Sequence, residues 1–144
     1  MTPAQILCIG VNHETAPLSI REDLACSPAY HESILKREFP QIQEWVWIST
    51  CNRVELYAAC VCDMPQDRVG DLFTTLHGRC LENIEPYVYT LHNEEAARHL
   101  LRVAAGLDSM VLGEPQILGQ VNRAFSEAQE KGTVGPILRA MFNS

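Results

Sequence analysis

The sequence predicts an α+β fold: a split β-α-β-β-α-β unit of the ferredoxin-like layout over residues 1–91, then a small helical part over residues 92–144. Three observations predict it. Four short apolar runs of strand length alternate with two amphipathic stretches in that order. Beyond residue 92 the apolar residues recur at helical spacing instead. The chain has 144 residues, 47% of them apolar and 20% charged, enough for one domain with a real core.

The elements follow in order. Ile6–Val11 is a near-continuous apolar run, hence a buried first strand. Thr15–Leu18 reads as loop, because Pro17 bars a helix through residue 16. Ser27-Pro28 is a helix start, cap then first-turn proline, and that helix runs to about Glu38, before Pro40. Glu44–Ser49 and Val54–Val61 form a hairpin across the short Thr50–Arg53 turn. Pro65–His77 carries Val69, Leu72, Phe73 and Leu76 at helical spacing, and Tyr87–Leu91 is the fourth strand. Asn93 caps a helix with Ala97, Leu100, Leu101 and Ala104 as its core stripe. Pro115 opens another, with Ile117, Val121, Ala124, Phe125 and Ala128 on one face and Gly132 as its stop. Ile137–Phe142 begins a last amphipathic piece with no terminating residue, which suggests a part of a longer chain.

Composition excludes several classes. The net charge is −7, and only two of the eleven basic residues are Lys. Phosphate contacts need concentrated Lys and Arg, so a stand-alone nucleic-acid binder is not expected. No apolar run approaches the roughly 20 residues of a membrane span, and the start Met1-Thr2-Pro3-Ala4-Gln5 lacks a basic signal region, so a cytoplasmic protein without membrane partners is expected. Six cysteines (8, 26, 51, 60, 62 and 80) without a Cys-x-x-Cys pair read as reduced thiols, and no metal site is expected. Cys60 and Cys62 share one face of a strand by their period of two.

One cysteine differs in its surroundings. Cys51 lies in Ser49-Thr50-Cys51-Asn52-Arg53-Val54-Glu55, directly after the apolar run Trp45–Ile48. A strand end presents a thiol to a cleft, and an Arg two positions on favours the thiolate, which is the nucleophile. An inert packing cysteine at a strand end has the same local pattern, so both readings stay open on these residues alone. His99 is similarly balanced: it sits at the border of the helical apolar stripe, beside Ala96 and Val103, where a merely solvated His is common.

Two further stretches accompany the cysteine. Gly10-Val11-Asn12-His13-Glu14-Thr15-Ala16-Pro17-Leu18-Ser19-Ile20-Arg21-Glu22 precedes it, and Gly106-Leu107-Asp108-Ser109-Met110-Val111-Leu112-Gly113-Glu114-Pro115-Gln116-Ile117-Leu118-Gly119-Gln120-Val121 follows it. With Ser49–Arg53 between them, the chain from Ile6 to Phe142 resembles the N-terminal catalytic domain of the glutamyl-tRNA reductase family. The resemblance implies Cys51 and His99 as catalytic residues, His99 stabilising the thiolate or shuttling a proton. It implies Thr50, Asn52, Arg53, Ser109, Glu114, Pro115, Gln116 and Gln120 as substrate contacts, with the Arg53 guanidinium suited to the substrate carboxylate. Asn12, His13 and Thr15 are expected to be loop structure or cleft lining.

The resemblance also implies a reaction. Cys51 attacks the ester joining glutamate to glutamyl-tRNA, and the thioester is reduced with NADPH to glutamate-1-semialdehyde, opening the route to 5-aminolevulinate and tetrapyrroles such as haem. No Gly-x-Gly-x-x-Gly fingerprint follows any strand here. The NADPH-binding domain and the C-terminal domain that makes the family's homodimer are therefore expected outside this chain. The fragment is expected to acylate or hydrolyse but not reduce. Glutamate-1-semialdehyde aminomutase is a possible channelling partner. A second class stays open: a non-reducing regulatory module binding haem through Cys and His ligands.

Overall fold

A computed structural model of the chain describes residues 5–24, 33, 35–50, 52–61, 72, 85–106 and 116–143. Four strands, β1 (Gln5–Asn12), β2 (Ile42–Ser49), β3 (Arg53–Cys60) and β4 (Tyr89–His92), form one sheet in the order β2-β3-β1-β4. Every pairing is antiparallel. This is the α+β, ferredoxin-like order the sequence predicts. The described helices are α1 (Leu18–Leu24), a helical segment at residues 35–38, α2 (Glu94–Ala104), α3 (Gln116–Glu130) and α4 (Pro136–Phe142).

Side chains alternate across the sheet, and both faces are covered. Leu7, Ile9 and Val11 of β1 and Val54, Leu56 and Ala58 of β3 point to one face, against Leu24, Leu35, Phe39 and Leu72. Cys8, Val46, Ile48, Tyr57 and Ala59 point to the other, against Ala96, Leu100 and Val103 of α2, Ile117, Val121 and Ala128 of α3, and Leu138 and Met141 of α4. The helical part is thus the second cover of the sheet. All eight residues of the central strand β3 are buried, Arg53 and Glu55 included. An antiparallel sheet with one wet face would have left both in water.

Several local expectations need correction. The run read as loop from Thr15 gives way at Leu18 to α1, whose first bonds go from Ile20 and Arg21 N–H to the Pro17 carbonyl. Seven residues are too few to show a helical period. Asn93 does precede α2, at φ 49°, but makes no side-chain cap bond. Its Oδ1 accepts from Ile6 N–H at 2.9 Å and its Nδ2 donates to Gln5 Oε1 at 2.7 Å, tying α2 to β1. The stripe of α2 that meets the sheet is Ala96, Leu100 and Val103, whereas Leu101 is half exposed. Strand β4 starts at Tyr89, because Glu85–Tyr87 takes a 3₁₀ turn around Pro86. The Pro65–His77 helix lies outside the described residues apart from Leu72, which is helical and buried, and Cys62 lies outside as well.

The last helices are fastened through the edge strand β2. Gly132, at φ +75°, ends α3 as expected. Thr133 then exchanges backbone and hydroxyl bonds with Trp45, each 2.9 Å. Glu44, buried on β2, caps α4: its Oε1 accepts from Gly135 and Leu138 N–H at 2.9 and 2.8 Å, and its Oε2 from Ile137 N–H at 3.3 Å. A carboxylate there also complements the positive end of the helix. Phe142 stacks on Phe125 at 5.1 Å and meets the edge of Tyr57 at 5.8 Å.

Candidate active site

The β2–β3 hairpin turns at Thr50–Arg53. Thr50 N–H donates to the Arg53 carbonyl at 2.8 Å, and Thr50 Oγ1 accepts from Asn52 N–H at 3.1 Å. The hydroxyl shapes the turn, a local use of Thr that competes with regular structure. Cys51 falls within this turn in sequence and lies outside the described residues, as do Ser109, Glu114 and Pro115. At the end of β1 that pairs with Arg53, beside this turn, Asn12 Oδ1 accepts from Glu14 and Thr15 N–H, and Thr15 Oγ1 accepts from Asn12 N–H. Asn12 and Thr15 therefore build their own turn.

The sheet face toward α2 holds a charged cluster inside the protein. Arg53, Glu55 and Tyr57 alternate along β3 onto one face. Glu55 has no exposed surface and is its centre. His99 Nε2 lies 2.5 Å from Glu55 Oε2, and Arg53 Nη1 lies 3.4 Å from the same oxygen. Tyr89 from β4 also donates to Oε2, and Tyr57 donates to Oε1 at 3.1 Å. Cys8 Sγ is 3.9 Å from Oε2. His99 and Tyr89 meet edge to face, ring centres 5.6 Å apart.

Gly10 makes room for this. It stands opposite Glu55 on one side and Tyr89 on the other. A Cβ at residue 10 would come within 2.7 Å of Glu55 Cγ and 2.8 Å of the Val54 carbonyl oxygen. Only glycine lets the Glu55 side chain cross β1 toward β4 and α2.

The electrostatics follow from burial and partners. Burial opposes ionisation of Glu55, but the hydrogen bond from His99, the Arg53 charge and the Tyr89 hydroxyl outweigh it and hold the carboxyl below its usual range. Burial pushes the Cys8 thiol, the Tyr57 phenol and the Tyr89 phenol up, and the Glu55 charge adds to each shift. All three stay protonated as donors around one carboxylate.

Among the described residues, Cys8, Glu55 and His99 also have the composition of a metal ligand set. Two ligands about 2.0–2.1 Å from a tetrahedral zinc sit roughly 3.3 Å apart. The 2.5 Å contact between His99 and Glu55 is a hydrogen bond with no space for an ion, and the Arg53 cation touches the same oxygen.

A cleft of about 220 Å³ opens beside the hairpin, along the edge strand β2. Thr50 and Gln120, two of the residues expected to touch substrate, line it together, with Trp47, Arg123, Glu127 and Lys131. Gln116 lies one turn earlier on α3 and is exposed. Arg53 is fully buried beneath the turn, bonded to Glu55. The described sheet, wholly antiparallel, has no parallel strand-turn-helix unit of the kind that holds a dinucleotide, so the described residues do not fit NADPH.

Comparison with known proteins decides the family. The model for the N-terminal domain of glutamyl-tRNA(Glu) reductase matches residues 9–144. The chain belongs to the glutamyl-tRNA reductase N-terminal domain family. It is 47% identical over 143 residues to a glutamyl-tRNA reductase of Thiobacillus denitrificans, covering 96% of this chain and 33% of that protein. It is 45% identical over 145 residues to one of Aromatoleum aromaticum, covering 97% and 33%. Among solved structures, glutamyl-tRNA reductase from Methanopyrus kandleri is similar at TM-score 0.75 and 29% identity, over 96% of this chain and 31% of that one. The chain thus spans about a third of the length of the curated relatives it matches. Within this family domain, Arg53 and His99 meet at Glu55, while Thr50 and Gln120 meet at the cleft.

Glu55, Tyr57, Tyr89, Cys8 and Gly10 carry no expected site role from the sequence. One signal was present: Arg53-x-Glu55 places two opposite charges on one face of a strand otherwise made of Val, Leu, Tyr, Ala and Cys. Charges in so apolar a run are paired when buried.

Proposed function

We propose that this chain is the thiol half of a glutamyl-tRNA reductase, in which Cys51 accepts the glutamyl group. The observation that carries the reading is the family match across residues 9–144, with Ser49 and Thr50 of the Ser49–Arg53 motif lining a cleft beside the hairpin. The Cys51 thiolate attacks the ester carbonyl of glutamyl-tRNA. A C–S bond forms, the bond to the 3′-terminal ribose oxygen breaks, and that oxygen leaves with a proton. A thiolate suits this step because it is a strong nucleophile near neutral pH. Thr50 and Gln120 hold the glutamyl group from the cleft, joined by Asn52, Ser109, Glu114, Pro115 and Gln116. Arg53 receives its carboxylate from below the turn, and His99 handles the proton.

NADPH, where the full-length relatives bind it, supplies a hydride. No step of that reduction is assigned to the residues of this chain. In this reading the remaining two thirds of the protein hold the dinucleotide, the bulk of the tRNA grip and the dimer contacts, and the product enters tetrapyrrole synthesis through an aminomutase. The acid composition supports this division, since a net charge of −7 gives little purchase on phosphates.

The test is a single-turnover reaction at low salt with glutamyl-tRNA labelled in the glutamate, quenched in acid. Label is expected to move to protein in the native chain and to stay on tRNA with Cys51→Ala. Transfer that survives Cys51→Ala would remove the thiol from the reaction.

A further inference from the structure

We propose that Glu55 is the positioning residue for His99: its buried carboxylate takes the Nε2 proton in a hydrogen bond and leaves Nδ1 as the ring nitrogen that moves protons in the acyl transfer. The inference rests on the reading of Cys51 as nucleophile and deepens it.

An imidazole offers two nitrogens, and a protein that uses one must fix the other. Here the 2.5 Å approach of Nε2 to Glu55 Oε2 fixes it. An ionised carboxylate only accepts, so a proton lies on Nε2. The carboxylate in turn is held at both oxygens. Tyr57 donates to Oε1, while Tyr89 and Arg53 donate to Oε2 beside His99. The hydrogen bond from His99, the Arg53 charge and the Tyr89 hydroxyl together outweigh burial and hold the Glu55 carboxyl below its usual range. Glu55 sits on the central strand and His99 on a helix packed against it, so both ends of the contact are anchored in the core.

The arrangement follows the logic of a base oriented by a carboxylate. As acyl transfer proceeds, the proton lost by the Cys51 thiol is held at Nδ1 and delivered to the leaving ribose oxygen. The positive charge that passes through the ring is stabilised by Glu55, while Arg53 balances that carboxylate when the ring is neutral. Arg53 thereby serves the buried carboxylate in addition to the substrate role proposed for it above. Gly10 belongs to the same device, since any larger residue would displace Glu55 from His99.

Two measurements test the proposal. The first uses the native chain. Nitrogen-15 imidazole correlation spectra, taken where the His99 ring carries a single proton, are expected to show it on Nε2. A proton on Nδ1, or fast averaging between the two, overturns the proposal. The second compares Glu55→Gln and Glu55→Asp in single-turnover transfer at saturating charged tRNA. The rate constant is expected to fall on the order of 100-fold in Glu55→Gln, the range of one general acid–base group. Apparent tRNA affinity is expected to stay within threefold. Glu55→Asp, which keeps the charge, is expected to recover part of the rate. Native rates in Glu55→Gln overturn the positioning role but leave the Cys51 reading intact. Absence of transfer in the native chain refutes the Cys51 reading, and the tautomer spectrum still decides the contact. If Glu55→Gln does not fold, the spectrum of the native chain decides alone.

Discussion

Replacing His99 by Ala tests how far the buried cluster is a structural unit. The ring sits at a stripe border, and from that position alone its removal would change stability by less than roughly 1 kcal/mol. The structure raises that figure. The Glu55 side chain is fully buried, and His99 is one of five groups donating to it. A hydrogen bond to a charged group contributes about 1.5–3 kcal/mol. The edge-to-face contact with Tyr89 adds about 0.5–1 kcal/mol. The expected loss is therefore about 2–4 kcal/mol. It stays at or below the 3–5 kcal/mol of breaking an isolated buried pair because Arg53 remains beside the carboxylate. At this chain length each kcal/mol is about 2–4 °C, so melting should fall by about 4–16 °C at pH 7. Circular dichroism melts of His99→Ala, Glu55→Gln and the double variant measure it. A coupling of about 1–3 kcal/mol is expected between neighbours in one network. A melting point within 1 °C of the native chain, or strictly additive single variants, would refute the reasoning.

Three further outcomes follow from the same contacts. Gly10→Ala places a methyl 2.8 Å from a carbonyl oxygen of the central strand, which cannot move aside. It should cost about 1–3 kcal/mol by calorimetry and slow acyl transfer by displacing Glu55. Glu44→Ala leaves the Gly135, Ile137 and Leu138 N–H groups without their acceptor and should cost about 1–3 kcal/mol, with amide exchange accelerated selectively across α4. Stability should also depend on pH through Glu55. Its folded value lies below the unfolded one of about 4.3. Its contribution is therefore present above that pH and is lost as pH falls through the folded value. Glu55→Gln should flatten the acid limb of a melting-point profile, and an unchanged limb would exclude Glu55 as its source.

Much of the fold is legible in the sequence because strand-length apolar runs and the Thr50–Arg53 turn are local signals. The strand order needs only the antiparallel βαββαβ layout. What escapes is set by distant partners. Asn93 looks like a helix cap, and its side chain goes instead to Gln5 and Ile6, nearly ninety positions away in sequence. Glu44 looks like an exposed edge charge and is a cap for a helix more than ninety positions on. The site divides similarly. The Ser49–Arg53 motif is contiguous and readable. The Glu55 cluster draws on β1, β3, β4 and α2, and its charges are buried only because α2, α3 and α4 cover a sheet face that a two-layer fold leaves open.

The most direct measurement is the location of the acyl group. After incubation with glutamyl-tRNA and acid quench, peptide mass spectrometry is expected to find one glutamyl addition, on Cys51, removed by hydroxylamine as a thioester is. A glutamyl group on another residue, or none on a chain shown to be folded and presented with charged tRNA, would contradict the account.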